Sequence, residues 1–143
     1  MSELIKNEKL MIEEIKLIQD IIKRMADNSF KIKGWTVTLV VVSLIFKNNS
    51  NLNHLIAFIP LLSFWILDAY YLKVERIYRK LYSWVIKNRR KNEDFLFDLN
   101  PKRFEKEVDG YIRTMFSISL GTFYGSILGL LLVLSFVDFF GGK

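Results

Sequence analysis

Residues 114 to 137 carry no charged side chain, and apolar residues recur throughout the run. As a helix rising 1.5 Å per residue it would extend about 36 Å, more than the roughly 30 Å hydrocarbon core of a bilayer. A helix apolar on all sides needs a surrounding other than water. The expected fold is therefore an all-α membrane protein. The 51% hydrophobic and 15% aromatic content of the 143 residues agrees, because it exceeds what a soluble domain of this size uses.

Two further apolar runs precede this one. Gly34 to Phe46 is uncharged but too short to span alone; extended back to Phe30, with Lys31 and Lys33 reaching toward the headgroups and Trp35 near the interface, it reaches the lower end of the spanning range. Asn28, Ser29 and Gly34 are the expected break points before it. The second run, Leu55 to Leu72, is interrupted by Pro60 and Asp68. Pro60 is expected in the first turns of its helix, where a missing N–H matters least. The reading is thus three transmembrane helices, at residues 30–46, 55–72 and 114–138, the first two joined by the polar segment 47–53.

Each crossing adjoins an amphipathic stretch. In residues 3–29, Leu4, Met11, Ile15, Ile18, Ile22 and Met25 recur at spacings of three and four, with Glu8 in the stripe and Glu13 and Glu14 read as lying on a charged face. After Leu72 the helix continues to residue 91, because Tyr71, Val74, Tyr78, Leu81 and Val85 keep the same spacing. Residues 92–100 read as a linker whose Phe95, Leu96, Phe97 and Leu99 dock on the bundle or at headgroup level. Asn100 and Pro101 make a good helix start, as cap and first-turn residue. From Lys102 no strong breaker occurs before Gly141, so a single helix is expected, its cytoplasmic part 101–113 running into the third crossing.

Lys and Arg number seven in residues 1–33, one in 47–54, twelve in 73–113 and one at the C-terminus. Basic segments stay in the cytoplasm. The N-terminus and the central segment are then inside, while the loop around Asn49 and the C-terminus are outside, in a bacterial inner membrane. The three helices continue into a cytoplasmic amphipathic helical stalk. The first thirty residues lack the pattern of a cleavable signal peptide and are expected to remain in the protein.

Several residues are candidates for function. Ser117, Gly121, Gly125 and Gly129 recur every fourth position, a spacing that lets helix backbones approach closely in lipid. The ridge serves either self-association into a homo-oligomer or packing within the chain. Asp68 is an acid inside the second crossing: it lines a cation path, pairs with Lys31, Lys33 or Lys73, or reaches the headgroups. The basic residues Arg76, Arg79, Lys80, Lys87, Arg89 and Arg90 either anchor the topology or contact an anionic lipid, a cytosolic regulatory protein or a nucleotide signal. Nucleic acid is the weaker partner, because the basic residues fall in blocks beside apolar runs, as topology signals do.

Catalysis has little to draw on. The chain has no cysteine and a single histidine, His54, so thiolate chemistry, zinc clusters and a histidine triad are unavailable. No glycine-rich phosphate loop is present. No enzyme, cofactor or metal is expected.

The runs MADNSFKIKGWTVTLV, residues 25 to 40, and FWILDAYYLKVERIYRKLY, residues 64 to 82, resemble a family of small bacterial membrane proteins of antiphage and conflict systems, similar to the two-helix membrane effectors called SLATT proteins. The likeness covers the first two crossings and their flanks; the third lies outside it. The resemblance implies an effector that oligomerises and permeabilises the inner membrane when a partner or nucleotide signal releases it. It brings no catalytic residues. Within it, Lys33, Gly34, Trp35, Asp68, Tyr70, Tyr71, Glu75, Arg76, Arg79 and Tyr82 are the positions to test.

Overall fold

The computed structural model describes residues 2–45, 53–89 and 94–141. Every regular element among them is helical. Helix α1 spans Ser2–Ile45 and α2 spans Asn53–Asn88. A 3-10 turn follows at Pro101–Glu107, then α3 at Tyr111–Met115 and α4 at Ile118–Gly141.

α1 and α2 pair along most of their lengths as an antiparallel hairpin. Glu14 meets Arg89, Gln19 meets Tyr82, and Ser29 meets Asp68, so the register runs in opposite directions on the two helices. The buried positions of α1 include Glu14, Ile18, Ser29, Ile32, Thr36 and Val40. Three- and four-residue steps keep these on a slowly turning stripe. The breaks expected at Asn28, Ser29 and Gly34 are absent: α1 is one helix, and Gly34 sits where an added Cβ would meet nothing within 4 Å. Pro60 lies inside α2 and not in its first turn, which leaves the carbonyl four residues earlier without its helical N–H.

Two apolar clusters fill the interior. One joins Val40, Ala57, Leu61, Trp65, Ala69, Leu120, Tyr124 and Leu131, at the end where all three long helices meet. The other joins Ile18, Ile77, Leu81, Val85 and Phe104 at the opposite end of the hairpin. Outside the first cluster the surface is apolar as well: Trp35, Val41, Ile59, Leu62, Leu130 and Val133 are all exposed. Among the described residues two helices are long and apolar enough to cross a membrane, Ile56–Asn88 and Ile118–Asp138, and only 28% and 17% of their most apolar windows are buried. A soluble core helix would be mostly covered.

The continuous helix expected from Lys102 onward is replaced by three pieces. Asn100 caps the 3-10 turn, its side chain accepting from Lys102 N at 3.2 Å, and Pro101 occupies the first turn. Val108 and Gly110 are then extended, and Phe116 and Ser117 separate α3 from α4. Tertiary contacts account for the break. Phe104 enters the second cluster, the Tyr111 hydroxyl donates to the Ile66 carbonyl, and Trp65 Nε1 donates to the Met115 carbonyl at 3.0 Å. The broken path brings all three against α2, and Trp65 takes up a backbone carbonyl at the break. The third apolar helix therefore begins at Ile118, and the segment 101–113 is not one cytoplasmic helix.

Candidate functional site

Asp68 is wholly buried at the level where α1, α2 and α4 come together. Its Oδ1 accepts from the Ser29 hydroxyl, and its Oδ2 lies 2.6 Å from Lys33 Nζ and 3.1 Å from the Tyr124 hydroxyl. Lys33 also donates to Ser29 Oγ at 2.8 Å. Tyr124 stacks on Trp65 with ring centroids 5.6 Å apart and planes 5° from parallel. One carboxylate thus gathers donors from α1 and α4 while itself belonging to α2. Of the roles open to Asp68, the geometry selects the pair with Lys33. A carboxylate holding a cation and two hydroxyls is satisfied, and an isolated one at this depth would be costly.

The basic residues separate into distinct environments. Arg89 is buried and bidentate to Glu14, with Nε and Nη2 each 2.6 Å from a carboxylate oxygen. Its remaining donors take the carbonyls of Asp94 at 2.7 Å and Phe95 at 3.2 Å. This clamp holds the turn after α2, where Phe95 and Phe97 adopt left-handed backbone angles of φ 62° and 57°. Leu99 packs on the second cluster, while the rings of Phe95 and Phe97 stay exposed. Glu14 is accordingly not on a charged outer face, as its acidic neighbours suggested, but on the buried stripe. Arg90 lies outside the described residues.

Arg76, Arg79, Lys80 and Lys87 line a groove of about 660 Å³ between α2 and residues 104–109. Arg76 pairs with Asp109 at 3.3 Å, Lys80 with Glu107 at 3.9 Å, and Arg79 with Glu75 at 2.7 Å. Lys73 adds a pair to Glu105 at 2.9 Å. The Lys73 hydrogen bond and charge hold the Glu105 carboxyl below its ordinary pKa. Lys87 has no carboxylate partner among the described residues.

The small-residue series also divides. Ser117 sits in the break before α4, its hydroxyl buried, as is that of Thr114; neither has a hydrogen-bond partner among the described residues. Gly121 lies beside the Phe116 backbone, 3.6 Å from where a Cβ would be. At Gly125 and Gly129 a Cβ would meet nothing within 4 Å. α4 packs on α2, and this part of its surface is left open by the described residues.

Sequence reasoning identified Asp68 but not Tyr124 as its partner, and it missed the Glu14–Arg89 clamp. A signal for the clamp did exist: Glu14 is three residues after Met11 and four before Ile18, and Arg89 four after Val85, so both fall on their helices' apolar stripes. Among the described residues no group of acidic or histidine side chains could hold a metal ion. Compared with family models, curated proteins and solved structures, the chain matches none.

Proposed function

We propose that the chain is a homo-oligomeric membrane effector that forms a pore in, or disrupts, the bacterial inner membrane, in phage defence. The observation that carries this reading is the open stretch of α4. Gly125 and Gly129 offer small, unfilled positions on an otherwise lipid-suited helix. Close backbone approach is what drives helix association where no hydrophobic effect operates between helices. A second copy fits there.

In this reading the chain crosses three times, residues 30–45 of α1 supplying the first crossing. Lys33, which alone would burden that segment, has its charge met by Asp68. The basic N-terminal and central segments face the cytoplasm, and the C-terminus faces outward. The phage-defence setting comes from the resemblance to SLATT-type effectors.

Gly125→Leu and Gly129→Leu test the reading cleanly, because the added side chain starts into open space and leaves the protomer's own packing alone. Both variants are expected to shrink the detergent-extracted particle to a single protomer and to abolish depolarisation of expressing cells, read with a membrane-potential dye. A monomeric variant that depolarises fully would refute it. The basic groove favours a second reading, a membrane anchor that recruits a cytosolic partner. Liposomes that hold the oligomer yet stay impermeant, while the stalk captures a cytosolic protein, decide for the anchor.

A further inference from the structure

We propose that the groove between α2 and residues 104–109 is a binding site for a phosphate group. Arg76, Lys80, Ser83 and Lys87 follow one another at steps of four, three and four on α2, so they share one wall; Arg79 flanks them. Glu107 and Asp109 stand on the other wall. Four cations thus face these two carboxylates, and Glu75 already meets Arg79 at 2.7 Å, so one net positive charge remains in a concave site.

The existing pairs do not saturate that charge. Lys80 and Glu107 are 3.9 Å apart with both side chains about half exposed, and Arg76 and Asp109 are 3.3 Å apart. Lys87 has no carboxylate partner among the described residues. A phosphate brings several acceptor oxygens and takes the Arg76 fork together with a lysine ammonium, a better match than one long ion pair. Charge, not base stacking, does the recognising. The Trp84 ring beside the groove already carries the guanidinium groups of Arg103 at 4.3 Å and Arg89 at 5.3 Å from its centroid.

Two sources of phosphate can reach the site. Arg76 lies one helical turn past Leu72, within reach of a lipid headgroup, whereas Lys87 is about 22 Å beyond Leu72 along α2 and open to soluble anions. Binding here is independent of whether the oligomer conducts.

The probe is pyrophosphate, titrated calorimetrically into the full chain in phosphatidylcholine nanodiscs. Saturable binding of one anion per chain is expected, about fivefold weaker in Lys80→Gln/Lys87→Gln, because two charge-assisted contacts are lost. Lys16→Gln/Lys23→Gln, which removes the same charge from exposed positions of α1, should leave it within about twofold, since only screened long-range attraction changes. Glu107→Gln should tighten it by freeing Lys80. Native mass spectrometry of protein extracted from membranes containing phosphatidylglycerol then separates the sources. Lipid retained by the wild-type chain and lost from Lys80→Gln/Lys87→Gln assigns the site to headgroups; pyrophosphate binding without lipid retention assigns it to soluble phosphate. Absence of saturation, or equal weakening by the two double variants, overturns the proposal.

Discussion

Two ion pairs with a buried carboxylate, separated by about 32 Å along α2, show how differently the two ends of this molecule use charge. At the end where α4 joins, Lys33–Asp68 is an exception in apolar surroundings and ties together three helices. At the other end the outer surface is charged, and Glu14–Arg89 is the pair sealed within it, tying α1 to the turn after α2. The pairs differ in one further respect. The Lys33 side chain is 22% exposed, whereas that of Arg89 is 4% exposed. Lys33 has an escape route along its own aliphatic stem, and Arg89 does not.

That contrast sets the order of the expected effects. Arg89→Met should be the most damaging substitution, costing about 3–5 kcal/mol, because it strands the Glu14 carboxylate in the interior and frees two backbone carbonyls. Glu14→Leu/Arg89→Met should recover most of the loss, since removing both charges also removes their desolvation cost. Denaturant unfolding in detergent measures both. A double variant as unstable as the single one would mean that the carbonyl contacts, and not the charges, hold this end.

Asp68→Ala should cost less, about 2–3 kcal/mol, because Lys33 can turn its ammonium toward the surface when its partner is gone. The same unfolding assay applies. An effect larger than that of Arg89→Met would reverse the comparison and show that the three-helix junction is the more tightly sealed end. Trp65→Phe keeps an aromatic ring against Tyr124 but deletes the donor to the Met115 carbonyl, for an expected loss of about 1 kcal/mol.

The smallest effect concerns the exposed Lys73–Glu105 pair. Lys73 lowers the Glu105 pKa, so the contact's contribution is present above the ordinary carboxylate value and is lost as pH falls through the depressed folded value. Carbon NMR of the Glu105 carboxyl should place its midpoint below that of a free glutamate, and Lys73→Gln should move it back up. High salt should act in the same direction as Lys73→Gln. A midpoint indifferent to Lys73 would leave the 3-10 turn held on α2 by Phe104, Arg103 and Glu107 without this pair.

Much of the helical plan could be read before any coordinates. The uncharged run from Thr114, the Asn100–Pro101 start and the three-four stripes of α1 and α2 each announce themselves through spacing and hydropathy. The break at residues 108–117 does not, since Val108 to Ser117 contains no proline and a single glycine. Three contacts with α2, through Phe104, Tyr111 and the Trp65 indole, draw this segment off a straight helical path. Glu14 is obscured for a different reason: its acidic neighbour Glu13 suggests a wet face, although its own spacing places it on the stripe.

The sequence by itself determined the long helical stretches, their apolar runs and where the basic blocks fall, because periodicity and hydropathy are properties of one helix at a time. Only the tertiary structure decided that Asp68 holds Lys33 and Tyr124, that Arg89 clamps Glu14, and that Gly125 and Gly129 are left open. Those outcomes depend on the register and rotation of one helix against another. Such relations arise between residues as far apart as Glu14 and Arg89: local spacing puts each on an apolar stripe, but it does not pair them.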